Sequence, residues 1–354
     1  CESLGGIEGA FPRPGATPLP VCRYSYIPFV NLIEEEDRYQ VYGQFTADLS
    51  EKVAFTAEAL YSHTELKELG YSPSYPITQG PNGPGSASAF TVPASNPGYA
   101  AYLEQTFAPG TPPRLFTPVL SSIVLFRPFA LGGNPLDPRG AGQGQAINDA
   151  WRVSASFDIE LSDALSLQTS GTYINSSRTA FSNDVVSDRL QRALNGFGGD
   201  NCTGSTAGAN GCLYFNPFIN SAPGNPALGL TNPAYVPGNE NSLEVIDYFT
   251  RPSGTEATEE QYIADAVFSG EASLFGRTLG YAFGGQYRKT DFATDPLNRF
   301  SDPQAYPCAI DGDRSCLDDP NDTNFPVGAF TFLGQYPRAR LSQDCLLYTS
   351  PSPR

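Results

Sequence analysis

Residues 149–177 constrain this chain more than any other stretch. Trp151, Val153, Ala155, Phe157, Ile159 and Leu161 alternate with Arg152, Ser154, Ser156, Asp158, Glu160 and Ser162. Period two over that length makes a strand with one apolar and one polar face. After a turn at Ser162-Asp163-Ala164 the pattern resumes, with Leu165, Leu167, Thr169, Gly171 and Tyr173 set against Ser166, Gln168, Ser170 and Thr172. Runs of about 9–11 residues suit a tilted bilayer crossing and exceed the usual soluble strand of about 5–6. A soluble sandwich alternates too, so the recurrence of the pattern carries the weight.

It recurs twice. Tyr39, Val41, Gly43, Phe45, Ala47 and Leu49 share a face, turn at Ser50-Glu51-Lys52, and return as Val53, Phe55, Ala57, Ala59 and Tyr61. Later, Tyr262, Ala264, Ala266, Phe268, Gly270, Ala272 and Leu274 turn near Gly276-Arg277 into Leu279, Tyr281, Phe283, Gly285 and Tyr287. The spacing predicts hairpins at about 38–63, 150–176 and 260–290. Two connections of about 80 residues, rich in Pro, Gly, Ser and Asn, separate them. The first holds an apolar patch at 119–129, suited to a ribbon or to space filling. The second holds Leu190-Gln191-Arg192-Ala193-Leu194, one or two helical turns. Residues 1–36 read as a loop with Tyr24, Tyr26 and Phe29 as contact residues, and a third long loop starts near Ala293.

Three features favour a membrane barrel over a sandwich. Very short turns alternate with very long loops, as periplasmic turns and extracellular loops do. The polar face carries Glu58, Asp158, Asp265 and Glu271 in mid-strand, as a wet lumen allows. The outer ends of all six strands carry an aromatic residue on the apolar parity: Tyr39, Tyr61, Trp151, Tyr173, Tyr262 and Tyr287. An amphipathic ring suits the headgroup interface, so this set reads as an aromatic girdle. Val153, Phe157, Ile159 and Leu161 then face lipid, and Arg152, Asp158 and Glu160 face the lumen.

Composition agrees. The 354 residues include 35 Gly and 32 Pro, with 12% aromatic and 40% hydrophobic residues, which suits an all-β chain with irregular loops. No apolar run approaches the roughly 20 residues of a membrane helix. A net charge of −16 opposes nucleic-acid binding. Without Met or a signal peptide, the chain reads as a fragment exported by an upstream signal. The segment Cys345-Leu346-Leu347-Tyr348-Thr349-Ser350-Pro351-Ser352-Pro353-Arg354 resembles one reading frame of a transposase adapter used in sequencing libraries. It is set apart from residues 1–344 and expected to make no specific contacts. Six other cysteines form local couples, Cys1 with Cys22, Cys202 with Cys212, and Cys308 with Cys316. An even count in polar loops points to disulfides in an oxidising compartment. Many connectivities are open, and short loop closure favours the local one.

The chain also resembles the barrel of a TonB-dependent outer-membrane receptor. The residues that carry this are Tyr26-Ile27-Pro28-Phe29-Val30-Asn31-Leu32 leading into Arg38-Tyr39-Gln40-Val41-Tyr42-Gly43. Arg127-Pro128-Phe129-Ala130-Leu131-Gly132-Gly133-Asn134-Pro135 and Gly211-Cys212-Leu213-Tyr214-Phe215-Asn216-Pro217-Phe218 add to it. The resemblance covers most of residues 20–344. It implies an antiparallel transmembrane β-barrel of about 22 strands occluded by a plug, of which this chain holds about six to eight. It implies a Gram-negative outer membrane, contact with its lipid, and energy from the TonB complex through the plug. Here neither plug nor closing C-terminal strand is seen, so a closed barrel is not expected of this chain alone. The implied ligand is large and scarce: a ferric siderophore, haem, cobalamin or an oligosaccharide. Phe126, Phe129, Tyr214, Phe215 and Phe218 are candidates to line its entrance, against the alternative that they pack the loops together.

Enzymatic signatures are missing: there is no Gly-rich phosphate loop before a helix, no H-E-x-x-H and no nucleophile elbow. Asp311, Asp313, Asp318, Asp319 and Asp322 crowd the third loop, but the Glu that closes an EF-hand is lacking and Cys316 interrupts the run. A solvated acidic loop is expected there, with no resident metal or cofactor. A passive porin or adhesin barrel, and a secreted glycan-binding β-protein, are the alternatives to a receptor.

Overall fold

A computed structural model describes residues 1–73, 77–84, 89–106, 119–120, 127–130, 132–318 and 328–349. Its centre is one open, wholly antiparallel sheet of seven strands in sequence order. These are β1 (Glu36–Ser50), β2 (Val53–Tyr71), β3 (Gly142–Ser162), β4 (Leu165–Val185), β5 (Thr250–Leu274), β6 (Arg277–Pro296) and β7 (Ala339–Thr349). β1 lies at one edge and β7 at the other, so the sheet does not close on itself. The chain is all-β in its framework.

All three expected hairpins form, with two-residue turns at Glu51-Lys52, Asp163-Ala164 and Phe275-Gly276. The first two are closed by the serine before them. Ser50 Oγ accepts from Lys52 N at 3.3 Å, and Ser162 Oγ accepts from Ala164 N at 3.4 Å. In the third, Phe275 and Gly276 both have positive φ, 52° and 72°, as a type I′ turn requires. Glycine adopts that backbone freely, whereas phenylalanine pays about 1–2 kcal/mol. Phe275 is also 97% exposed, so its ring gains little by packing. Phe275→Asn should therefore raise hairpin stability by about 1 kcal/mol. The full-length protein would show it as a higher denaturant midpoint, and a lower one would contradict the turn geometry.

The strands run well past the expected limits at the end remote from these turns. β3 starts nine residues before Trp151, β4 continues twelve past Tyr173, and β5 starts twelve before Tyr262. Near the end of β2 the register shifts between Leu66 and Leu69, where β2 carries one more residue than β3. Beyond that bulge Tyr71 lies across Gly142, where a Cβ would sit 2.5 Å from the ring. Its hydroxyl is 2.9 Å from the carbonyl of Gln143 and 2.7 Å from that of Asn183, tying β2 to β3 and β4.

The hydrophobic core sits at this end, among the long connections. It contains Phe90, Val92, Tyr99, Phe129, Leu190, Leu194, Phe215, Ile246 and Phe249. Three helices feed it: α1 (Pro97–Thr106), α2 (Ser187–Leu194) and α3 (Leu243–Phe249). In α2, Leu190, Ala193 and Leu194 form the buried stripe, with Asp188 in the first turn and Arg192 in the last to complement the dipole. It extends the short helical stretch expected there. α1 and α3 were not foreseen. The buried Asn96 accepts the N–H of Gly98 at 2.8 Å and precedes Pro97, so α1 carries its own start signal. Ser242 Oγ accepts from Val245 N at 3.2 Å to cap α3.

Two expectations need correcting. Residues 1–36 are not plain loop, because Ile7–Phe11 pairs with Leu19–Arg23 in a ribbon closed by Cys1–Cys22. Residues 345–349 are not free of contacts, because they extend β7 along Gly284–Arg288 of β6. A ladder uses backbone groups, so an open edge accepts a strand of almost any composition. The alternation there is mixed: Leu346 and Tyr348 share the face of Tyr287, but Leu347 lies opposite Gln286 on the polar side. The apolar patch at 119–129 contributes a ribbon, Val119–Leu120 with Phe90–Thr91, and the buried Phe129. Residues 121–126 lie outside the described residues.

Candidate functional site

The six aromatic residues of the apolar parity lie on one face and in one row across the sheet. Tyr61 is directly opposite Trp151, and Tyr173 is directly opposite Tyr262. Ring centroids are 6.1 Å apart for Tyr39 and Tyr61, 5.0 Å for Trp151 and Tyr173, and 4.9 Å for Tyr173 and Tyr262. Between the row and the turns this face is apolar and open, with Val41, Phe45, Val153, Phe157, Leu161, Leu279 and Phe283 all exposed. The row does not sit at the strand ends, as expected, but at the level where the strands leave the apolar zone.

Above the row the same face changes character within two residues. Asp37, His63, Glu65, Lys67, Asp149, Asn175, Glu260, Lys289, Asp291 and Asp344 follow the aromatic residues on the same parity. Three tyrosines of the row point their hydroxyls toward this belt. Tyr61 donates to Asp149 at 2.7 Å, Tyr287 to Asp344 at 2.7 Å, and Tyr262 to Glu260 at 3.4 Å. His63, the chain's sole histidine, stacks on Tyr39 at 4.7 Å, and its Nδ1 lies 2.8 Å from Asp149. Each ring thus keeps an apolar body on one side and a polar tip on the other.

The opposite face of the sheet carries hydrogen-bonded carboxylates in mid-strand, one of them paired with an arginine. Glu58 accepts from Arg152 at 3.1 Å, Tyr42 at 3.2 Å and Ser154 at 3.2 Å. Asp265 accepts from Gln286 at 2.6 Å and Ser170 at 3.1 Å. These bonds cross between strands and need water or polar cover, since the groups they leave over are still charged or hydroxylic.

The connections form a cap on the far strand ends. One of its anchoring points is Asp184, buried at the end of β4. One carboxylate oxygen accepts from Val185 N at 2.7 Å and Thr331 Oγ1 at 3.0 Å, the other from Phe332 N at 2.9 Å and Leu333 N at 2.8 Å. Three local disulfides pin the cap loops: Cys1–Cys22, Cys202–Cys212 and Cys308–Cys316. Closing the loop between Cys202 and Cys212 stabilises the fold by roughly 2–3 kcal/mol.

The loop aromatics offered as a ligand entrance are mostly spent on this cap. Phe215 and Phe129 are 2% and 5% exposed, and both pack on Phe249 at 5.2 and 5.9 Å. Phe218 stacks on Tyr102 at 4.5 Å, and Tyr214 is half-buried. Phe126 lies outside the described residues. The rings interleave with aliphatic side chains such as Leu190, Leu194, Val245 and Ile246 in the cap core. Tyr24 stacks on the buried Phe29 at 5.6 Å, and Arg127 covers Tyr26 at 5.1 Å.

In the acidic third loop, Asp311 pairs with Arg299, and Asp313 accepts the N–H of Ser315 at 2.9 Å, which holds its carboxyl below the usual range. The side chain of Asp318 and residues 319 and 322 lie outside the described residues. Among the described residues no group of three or more His, Cys, Asp or Glu side chains is arranged to hold a metal. No protein-family model matches the chain, nor does any curated protein.

Proposed function

We propose that this chain is part of the barrel of a TonB-energised outer-membrane receptor, which takes up a scarce ligand too large for porins. One observation carries the reading: this face divides sharply into an open apolar zone, a row of six aromatics, and a charged belt that receives the hydroxyls of three of them. From Trp151 to Ser162 is about 35 Å of strand at roughly 3.3 Å per residue. At a tilt near 45° that is about 25 Å of height, the thickness of the apolar band on an outer-membrane barrel. In water the same open face would exceed the few hundred Å² of apolar patch that a monomer usually tolerates. The hydrogen-bonded carboxylates on the other face suit a wet or plugged interior. The disulfide-pinned cap suits an oxidising, extracellular side where a ligand is first met.

A fluorophore on cysteine placed at Phe157 in the full-length protein should be quenched by lipid-borne quenchers and not by aqueous ones. Aqueous quenching alone would end the membrane reading. Uptake is tested separately, by presenting ferric siderophores, haem, cobalamin and oligosaccharides to cells with and without TonB. Entry of one of them that stops without TonB is expected. Entry indifferent to TonB would leave a passive pore.

A further inference from the structure

We infer that the cap holds an oxyanion-binding site, built from arginines crowded around Phe300 and Tyr248. The guanidinium carbons of Arg189, Arg251 and Arg299 lie 4.9, 5.9 and 5.2 Å from the centre of the Phe300 ring. Arg189 also covers Tyr248 at 4.7 Å. Arg192, one turn along α2 from Arg189, is exposed, and among the described residues no acidic group pairs with it. Asp200, Asp247 and Asp311 pair with Arg189, Arg251 and Arg299, so Arg192 is the member without an ion-pair partner among the described residues.

Asp311 pairs closely with Arg299, whereas the acidic partners of Arg189 and Arg251 are weaker competitors. Arg189 meets Asp200 at 3.3 Å and Arg251 meets Asp247 at 3.7 Å, while those carboxylates are 69% and 72% exposed. Pairs whose carboxylate is this exposed are weak and exchange readily for a better acceptor. The arginines are less free, with Arg189 and Arg251 only 15% and 22% exposed. Arg189 is fixed further by donating to the Tyr248 carbonyl at 2.9 Å, and Arg251 by donating to the Thr250 carbonyl at 2.8 Å. Burial holds the Arg251 guanidinium below its usual pKa, and the neighbouring charge of Arg189 adds to that. A ligand with clustered oxyanions relieves this crowding and offers the planar guanidinium forks two acceptors at once. The ligand class is therefore a phosphate-bearing compound, either soluble or a lipid headgroup. The site lies in the cap, so the inference stands apart from the membrane reading.

The test is calorimetric titration of the purified full-length protein with inorganic pyrophosphate, and capture of the protein on phosphatidylcholine vesicles with and without phosphatidic acid. Saturable pyrophosphate binding identifies a soluble source, and capture only on phosphatidic-acid vesicles identifies a headgroup. Arg192→Gln should weaken whichever binding is seen by about tenfold or more, through the loss of a charge-assisted bond. Among the described residues Arg192 has no ion-pair partner to lose, so its variant keeps the fold, and Arg277→Gln at a distant turn is the control. Binding in neither format, or binding unchanged by both Arg192→Gln and Arg251→Gln, overturns the site.

Discussion

Ala155→Arg should prevent assembly of the full-length protein, while Ser156→Arg, one residue along, should be accepted. Ala155 lies on the open apolar face, four residues from Trp151 toward the turn. That places it about 13 Å along the strand from the aromatic row, at roughly 3.3 Å per residue, and close to the middle of the apolar zone. Its neighbours across the ladder are Ala57 and Gly171. Gly171 is so open that an added Cβ would meet no atom within 4 Å. A long side chain therefore has room, and steric clash is not the issue. What matters is the medium. In hydrocarbon an arginine at this depth costs about 2–4 kcal/mol, while in water it costs almost nothing. Ser156 lies on the polar face between Thr56 and Ser170, where a cation finds company. Ala155→Phe completes the test. Lipid accepts a large apolar ring at an open site, whereas a second sheet packed there would reject it. On the membrane reading proposed above, the measurement is the folded fraction recovered from outer membranes, read by protease resistance. It should fall more than tenfold for Ala155→Arg and hold for the other two. Normal assembly of Ala155→Arg, or failure of Ala155→Phe, contradicts a lipid-facing surface.

The parts of this architecture that were legible in the sequence are those where contrast repeats over a short distance. Residues 151–161 announce a two-faced strand because every second residue changes polarity, and the same holds for 39–61 and 262–287. The strand extensions were hidden for the opposite reason. In Asn175-Ser176-Ser177 both faces are polar, so period two has nothing to alternate between. The disulfides were legible because each closes a short loop. The cap core was not, because Phe90, Phe129, Phe215 and Phe249 are far apart in the chain and leave no local period. The start of α1 was written in Asn96-Pro97 but was masked by a surrounding Pro- and Ser-rich segment. At the aromatic row the rings could be predicted, yet not their partners: Tyr287 and Asp344 are 57 residues apart and meet only once β6 and β7 pair.

Asp184→Asn should unlock the cap while leaving the sheet in place. The carboxylate receives four donors, two on each oxygen. A carboxamide keeps one oxygen and turns an NH₂ group toward the other two donors. Either Val185 N and Thr331 Oγ1, or Phe332 N and Leu333 N, are then left facing a donor inside the protein. Each buried unsatisfied donor costs about 1–3 kcal/mol, so the substitution should cost about 2–4 kcal/mol in all. The effect should concentrate in residues 328–335, because this segment ties the other cap loops together. Thr331 N donates to Val185 O at 2.9 Å, Thr78 N donates to Thr331 O at 2.8 Å, and Ser187 N donates to Ala329 O at 2.8 Å. Gln79 Nε2 reaches Gly328 O at 2.7 Å. Freed of Asp184, the segment should open with a cost lowered by at least 2 kcal/mol, about 30-fold in equilibrium. Amide exchange at Phe332 and Leu333 should accelerate by that factor, and protease cleavage after Arg338 should appear, while amides in residues 151–161 stay protected. Thr331→Val removes one of the four donors and leaves no donor unpaired, so it should move the same amides less than Asp184→Asn does. Unchanged exchange at 332 and 333 in Asp184→Asn would show that the cap is held from elsewhere. Loss of protection in the strands as well would show that cap and sheet unfold as one unit.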